Sequence, residues 1–589
     1  MSMGGAKLVD PVTVEILRNA FSAIADEMNA NLARSAFSPV IYEMKDCSVT
    51  VFNERAELLG QSPGLPIFLG ALDEALKATI SHVGMDGFEP GDVYVLNDPY
   101  ITGSHLNDVV VQSPVFCENA LVGFTSSKAH WRDVGGKNAG LITDSTEIYQ
   151  EGFRLGPTRL VVAGEVQSDI VDILARNSRT PLALVGDLNA QIACARTGER
   201  RLAEVMKRFG LETVRQAAHQ IFEQTERLER EIVASLPDGE YVAEGFLDDD
   251  GVRKEPVVVK VRVCIDGDNM LIDLTGSSPQ TPGCVNCGLP QTLSAARLAF
   301  KFLILPHVQP NGGSFQTLNV TVPRGSIFAA EEPAACVYYF PQLGLMIDLV
   351  LRALAPAMPE RVISGQTADP MNVFLAGHHP GDGSLFMTGE ATAIGWGAGL
   401  NQDGENAVIN YGGGDLKNLP IEVLESKYPI RMAYHALNMD SGGPGRKRGG
   451  LGIIKDYVPL ADGMTLSLWF ERAGLPAWGL FGGGSGTSPV VVLDPGTRGE
   501  RRLLKVNHLA IRPGTHISAR TGGGGGYGPS WERETEAVLD DVRDGYVSCQ
   551  KAEQDYGLRF AGDGLEVDEA ETQVARIETK KRAERKGGA

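Results

Sequence analysis

Stretches of helical period and stretches of two-residue period follow one another along the chain, and their order sketches a fold. Behind Pro11, apolar residues at Val14, Ile16, Leu17, Phe21, Ile24, Met28 and Leu32 recur at roughly helical spacing. They predict a long helix with one buried face, N-capped by Asp10 and opened by proline in its first turn. Strands and hairpins are expected over 48–136, interrupted by a helix over 69–84. The first strand, DCSVTVF, alternates Cys47, Val49 and Val51 against Ser48 and Thr50. Residues 168–236 return to helical period and predict a long-helix layer beside the sheet. Near Leu236 the pattern switches to alternation, with two strands turning at Gly267. A helix over TLSAARLAFKFLIL and then Gly- and Pro-rich connections follow. From 407 on, short strands such as TLSLWFERA and SPVVVLDP alternate with turns, and a helix-turn-helix is expected after Pro529. The pattern predicts an α+β fold, with mixed sheets and a long-helix layer in the N-terminal part and a β-rich, Gly-rich C-terminal part. It divides at 1–236, 237–520 and 521–589.

One predicted hairpin carries chemistry. Residues 108–116 and 121–130 read as two strands joined by a tight turn over 117–120. If the hairpin is centred on Asn119, Asp108 lies directly across from His130, and cross-strand partners share a face with Cβ atoms roughly 5 Å apart. His105, three residues before Asp108, overhangs the start of the strand, and Asp46 stands at the edge of the DCSVTVF strand as a plausible fourth ligand. Two imidazoles and a carboxylate at one strand end make an open site for a borderline divalent ion such as Zn or Mn. A lone strand-end Asp or His is more often a turn former. The argument here is clustering, because only ten histidines are spread over 589 residues.

Composition narrows the classes. A formal charge of −20 and the lack of a basic stripe argue against a nucleic-acid binder, and the short tail KKRAERK reads as a solvated helix end. No run approaches the apolar length of a membrane span, and the N-terminal segment lacks the pattern of a signal peptide. Eight scattered cysteines fit a reduced, cytoplasmic protein. Cys284 and Cys287 form the one C-x-x-C and read as an ordinary loop. Glycine is the outlier with 70 residues, concentrated in SGGPGRKRGGLG, FGGGSGTS and TGGGGGYGPS. None of these runs is a phosphate-binding P-loop, and close backbone packing is the expected role. His378 and His379, being adjacent, are read as loop histidines.

Long motifs then connect the chain to a known family: DPVTVEILRNAF, GDVYVLNDPYITGSHLNDVVVQSPVF, KAHWRDVGG, STEIYQEGFRLGP, ESKYPIRM, DSGGPGRKRGGLG, TGGGGGYGPSWERETEAVLDDVRDGYVS and the ending DYGLRF. In this order they resemble the hydantoinase B family, the B-type subunits of N-methylhydantoinase, oxoprolinase, caprolactamase and the acetone and acetophenone carboxylases. The resemblance implies that His105, Asp108 and His130 are metal ligands and that Asp46 matches the strand-edge aspartate. It implies a heteromer in which an A-type partner hydrolyses ATP with Mg, and phosphorylation activates a poor electrophile. In the hydrolases, water activated at the divalent ion then attacks. A cyclic amide such as a lactam, hydantoin or oxoproline ring is the expected substrate. A ketone carboxylase using bicarbonate and a non-catalytic scaffold are the alternatives. Glu147 is a candidate base or ligand-orienting group, with Glu151 close behind it, and Arg132 and Asp133 are candidates to steady the surroundings of His130. Ahead of ESKYP the chain carries NYGGGDLKNLPIEVLE, where many members have a loop rich in threonine and asparagine, and this difference implies a different ring.

Overall fold

The computed structural model describes residues 8–562 and 564–587. Among these the chain forms four sheets and the helices that cover them, the α+β arrangement expected from the pattern. The site belongs to the first sheet, built from β1 (Cys47–Asn53), β2 (Leu58–Gln61), β3 (Val93–Leu96), β4 (Asp108–Cys117), β5 (Ala120–His130), β6 (Thr158–Val162) and β7 (Glu165–Val166). Their order is β2-β1-β5-β4-β3-β6-β7, each pair antiparallel.

Both faces of this sheet are covered. On one lie the helices Pro11–Ser35, Pro181–Phe209 and Leu211–Ala234, which press Leu17, Phe21, Met28, Cys194, Leu202 and Ile221 against Cys47, Val49 and Val51. Asp10 caps the first helix, its carboxylate accepting from Thr13 N at 3.0 Å. The opposite face takes the helix Leu72–Val83 over Phe52, Val110 and Phe124. The polar positions of β1 are therefore buried too, and they remain tolerable because they bond to backbone: Ser48 Oγ donates to Leu65 O and accepts from Leu65 N.

The helix Leu211–Ala234 ends just before Leu236 and the strand Gly239–Leu247 follows, while the largest apolar core draws on both sides of that connector, with Val233 beside Leu247 and Val259. At its centre lies the helix Pro341–Leu354, where the sequence pattern suggests only connections. Nearly every residue of this helix is buried, Gln342 and Asp348 included, so no face of it is left to solvent. The strands Asn372–His378 and Leu385–Ala391 likewise precede the expected start of the β-rich part. The helices Thr535–Arg543 and Cys549–Tyr556 supply the expected helix-turn-helix, and Glu569–Gly587 adds a third. Side chains of the basic tail beyond Lys581 lie outside the described residues.

The glycine runs pack backbone to backbone. Gly524 N donates to Gly450 O, Gly525 N to Gly365 O and Gly526 N to Gly484 O, at 2.8–2.9 Å. A Cβ on Gly524 would fall 1.9 Å from the carbonyl oxygen of Trp396, and one on Gly449 1.9 Å from that of Gly524. Gly524→Ala is therefore expected to lower the thermal unfolding midpoint sharply, by the equivalent of several kcal/mol as for other overpacked cores (about 1–3 or more). Gly156→Ala meets no atom within 4 Å and should leave the midpoint within about 1 °C of wild type. Differential scanning fluorimetry of the two variants checks the contrast.

Candidate metal centre

The geometry of the centre begins with an irregularity. Glu118 and Asn119, both at positive φ (50° and 66°), turn β4 into β5. Counting back from the turn pairs Cys117↔Ala120 and Phe116↔Leu121 would set Asp108 opposite Ala129. A β-bulge between Val115 and Phe116 instead shifts the register, and the pairing runs from Val115↔Gly123 to Asp108↔His130. The pair is fixed from outside the ladder by Trp131 N donating to Asn107 O at 2.7 Å and His130 N donating to Asp46 O at 3.1 Å.

His105 Nε2, His130 Nδ1 and Asp108 Oδ1 stand 3.0–3.1 Å from one another. His105 Nδ1 lies 3.0 Å from the carbonyl oxygen of Val337. A carbonyl only accepts, so Nδ1 carries the proton and Nε2 turns its lone pair inward. Three acceptor atoms so close repel one another unless a proton or cation lies among them. Asp108 Oδ2 and Asp46 Oδ1 are moreover buried carboxylate oxygens without a hydrogen-bond partner, a costly state that a cation relieves. The donor set of two imidazoles and a carboxylate, as grouped here, thus fits a divalent ion. Asp46 stands further off, its Oδ2 4.0 Å from His130 Nδ1.

The titration of these groups follows from burial and charge. Burial raises the Asp46 carboxyl to about 6 against the opposing charge of His130. Burial also works to raise Asp108, yet protonation of the neighbouring imidazoles, His105 through its charge and hydrogen bond and His130 through its hydrogen bond, pulls it well below the usual carboxylate range. For His130 burial disfavours the imidazolium, but the Asp108 hydrogen bond and the charges of Asp46 and Asp108 prevail and raise it. Lys128, two residues earlier on the same face of β5, is buried and brought down to about 8. Its Nζ reaches Thr102 O at 3.2 Å and Gln291 Oε1 at 3.4 Å.

The remaining candidates fall in different places. Glu147 is exposed, just before the short helix Ile148–Gln150, and is not among the residues lining the cavity. Glu151 is buried, its carboxylate accepting from Ser145 Oγ at 2.7 Å and from the backbone N–H of Cys336 and Val337 at 3.0–3.2 Å. It thereby holds the carbonyl segment that orients His105. Asp133 pairs with Arg179 at 2.8 Å, away from His130, while Arg132 turns to Tyr428. Cys284 and Cys287 are buried free thiols in a loop. His378 ends a strand and is exposed.

The cluster opens into a cavity of about 140 Å³ walled mainly by Met44, Leu65, Phe68, Phe340, Phe374 and Leu419. Asn410, Gly412, Gly413 and Leu416 of the loop ahead of ESKYP contribute another wall. Sequence reasoning missed the stretch 337–340 on the cavity wall, including Tyr339, whose ring lies edge-on to His105 at 5.1 Å. That stretch is an unpatterned apolar run with no signal of its own.

A two-histidine, one-carboxylate cluster at the end of two central strands, opening into a largely apolar cavity, defines a protein built around a candidate metal centre. The model of the family described as Hydantoinase B/oxoprolinase matches residues 10–530, and the chain belongs to that family. The caprolactamase subunit beta of Pseudomonas jessenii is 32% identical over 588 residues, covering 96% of this chain and 99% of that one. The crystal structure of the ATP-dependent caprolactamase from Pseudomonas jessenii matches with a TM-score of 0.90 at 31% identity, over 97% of this chain and 100% of its own. A nucleotide-free acetone carboxylase structure reaches 0.88 over 97% of this chain and 83% of its own, at 21% identity, a likeness of fold. No helix among the described residues is long and apolar enough to cross a membrane.

Metal analysis of the purified chain by plasma mass spectrometry is expected to find about one divalent ion, lost from folded His130→Ala and Asp108→Asn. Glu151→Gln should weaken metal affinity roughly tenfold by loosening the support of His105. Metal uptake must displace the proton that the neighbouring carboxylates hold on His130. Affinity should accordingly fall by up to about tenfold per pH unit once the pH drops below that raised value, with proton release measurable by calorimetry in buffers of different ionisation heat.

Proposed function

We propose that this chain is the metal-bearing subunit of an ATP-dependent cyclic amide hydrolase that opens a lactam, hydantoin or oxoproline ring, working with an ATP-hydrolysing A-type subunit that carries Mg. The observation that carries the reading is the convergence of His105 Nε2, His130 Nδ1 and Asp108 Oδ1 at 3.0–3.1 Å on the edge of a largely apolar cavity. An apolar enclosure with a few convergent polar groups suits a compact ring whose polar amide points one way. His105, Asp108 and His130 would hold a divalent ion such as Zn or Mn, with Asp46 as a fourth ligand. When bound, such an ion supplies Lewis acidity toward an oxygen and lowers the pKa of water.

The chain's own residues do the rest. Glu151, through Val337, fixes the tautomer and direction of His105. Phe68, Phe340 and Phe374 exclude water from the ring's hydrocarbon part. Asp46, whose Oδ2 stands 4.0 Å from His130 Nδ1, adds a second carboxylate beside the cluster. The likeness to the caprolactamase of Pseudomonas jessenii, at 31–32% identity, supports the hydrolase, whereas the carboxylase alternative, with its bicarbonate, has a likeness of fold behind it.

The test is turnover. The chain, its A-type partner, ATP and each of a lactam, a hydantoin and 5-oxoproline are combined, and ring opening is followed by mass spectrometry. ATP-dependent opening of one ring, lost at least a hundredfold in folded His130→Ala, is expected. Turnover only with bicarbonate and a ketone would move the reading to the carboxylase, and an inactive chain that still binds its partner would point to the scaffold.

A further inference from the structure

We propose that Arg132 is the anchor for an oxyanion, a phosphoryl or carboxylate group, on the molecule that enters the cavity; this deepens the reading of the cavity as a reaction site and rests on it. Arg132 is the one Lys or Arg among the described residues that line the cavity, which it shares with Asp46, Asp108, His105 and His130.

Its surroundings differ from those of the other interior arginines. Arg472 pairs with Asp348 at 3.2 Å, Arg448 with Asp541 at 3.1 Å, and Arg533 with Asp403 and Asp541 at 2.7 and 2.8 Å. Among the described residues no carboxylate forms an ion pair with Arg132. The adjacent Asp133 is taken by Arg179. Asp187 feels the guanidinium's charge, yet its bonded oxygen accepts from the backbone of Phe37 and Ser38.

What Arg132 does have is a brace. Its Nη2 donates to the hydroxyl of Tyr428, and its Cζ lies 5.8 Å from that ring's centroid. Nε is buried and has no partner. A guanidinium held in place with a buried donor unsatisfied and no carboxylate within ion-pair distance among the described residues is a costly arrangement. An oxyanion removes that cost, and the planar fork of Arg suits phosphoryl and carboxylate oxygens. The brace also joins two motifs otherwise far apart in sequence, KAHWRDVGG and ESKYP. Two sources supply such a group: the phosphoryl of an ATP-activated intermediate, or a carboxylate that the substrate itself carries.

Isothermal titration calorimetry with inorganic phosphate, and separately with acetate, on the purified full chain tests the anchor. Wild type is compared with R132Q, R132K and Y428F, with metal content and circular dichroism checked for each. The expected result is at least a tenfold loss of affinity for one of the anions in R132Q, a smaller loss in R132K, which keeps the charge without the fork, and a partial loss in Y428F. Loss for phosphate assigns the phosphoryl source, and loss for acetate the substrate carboxylate. Equal anion affinity in wild type and folded R132Q, or no binding of either anion to wild type, overturns the anchor. Should R132Q fail to fold, Y428F decides by the same comparison. The functional reading is judged separately: ring opening that survives in R132Q rejects the anchor and keeps the hydrolase, whereas Arg132-dependent anion binding without any ring opening does the reverse.

Discussion

The register of one hairpin is the constraint on which the site depends. Side chains alternate across a strand, so a slip of one residue between β4 and β5 would send His130 to the face opposite Asp108. The bulge between Val115 and Phe116 makes that one-residue correction. The turn through Glu118 and Asn119 and the long apolar strands, buried under helices on both sides, then hold the corrected register. His105 joins from the short turn before β4, where Asp108 N donates to His105 O.

A register alone does not make a site; desolvation does. Four remote segments close around the hairpin end: 337–340, carried by the buried helix Pro341–Leu354; the stretch 370–391 with Phe374; the loop 410–419; and Tyr428. They exclude water from two carboxylates and two imidazoles, and the resulting tension shows in both directions, with Asp46 pushed up to about 6 and Asp108 held far down. The glycine runs contribute at a distance. By letting backbones approach without side chains, they give the C-terminal half a rigid frame next to the residues that wall the cavity.

Much of this was readable in the residues. Strict periodicity exposed the long helices, and alternation exposed β1, β4 and β5, because each buries a definite stripe or face. The pairing of Asp108 with His130 followed from placing the hairpin centre at Asn119, although the bulge that produces it leaves no mark in a pattern of apolar residues. The helix Pro341–Leu354 is buried on every side, and its apolar residues are not confined to one stripe. Glu151 stood in the same motif as Glu147, and only three-dimensional placement separates the exposed residue from the one bonded to Cys336 and Val337. The partner of Arg132, nearly three hundred residues away in the chain, is likewise a matter of tertiary packing that local pattern does not encode.

The most direct test of the central claim is an anomalous difference map from crystals of the chain, recorded on both sides of the Mn and Zn absorption edges. The account predicts one strong peak bounded by His105 Nε2, His130 Nδ1 and Asp108 Oδ1, with Asp46 close to it. A map of well-ordered crystals grown with added Mn or Zn that shows no peak among these atoms would contradict it.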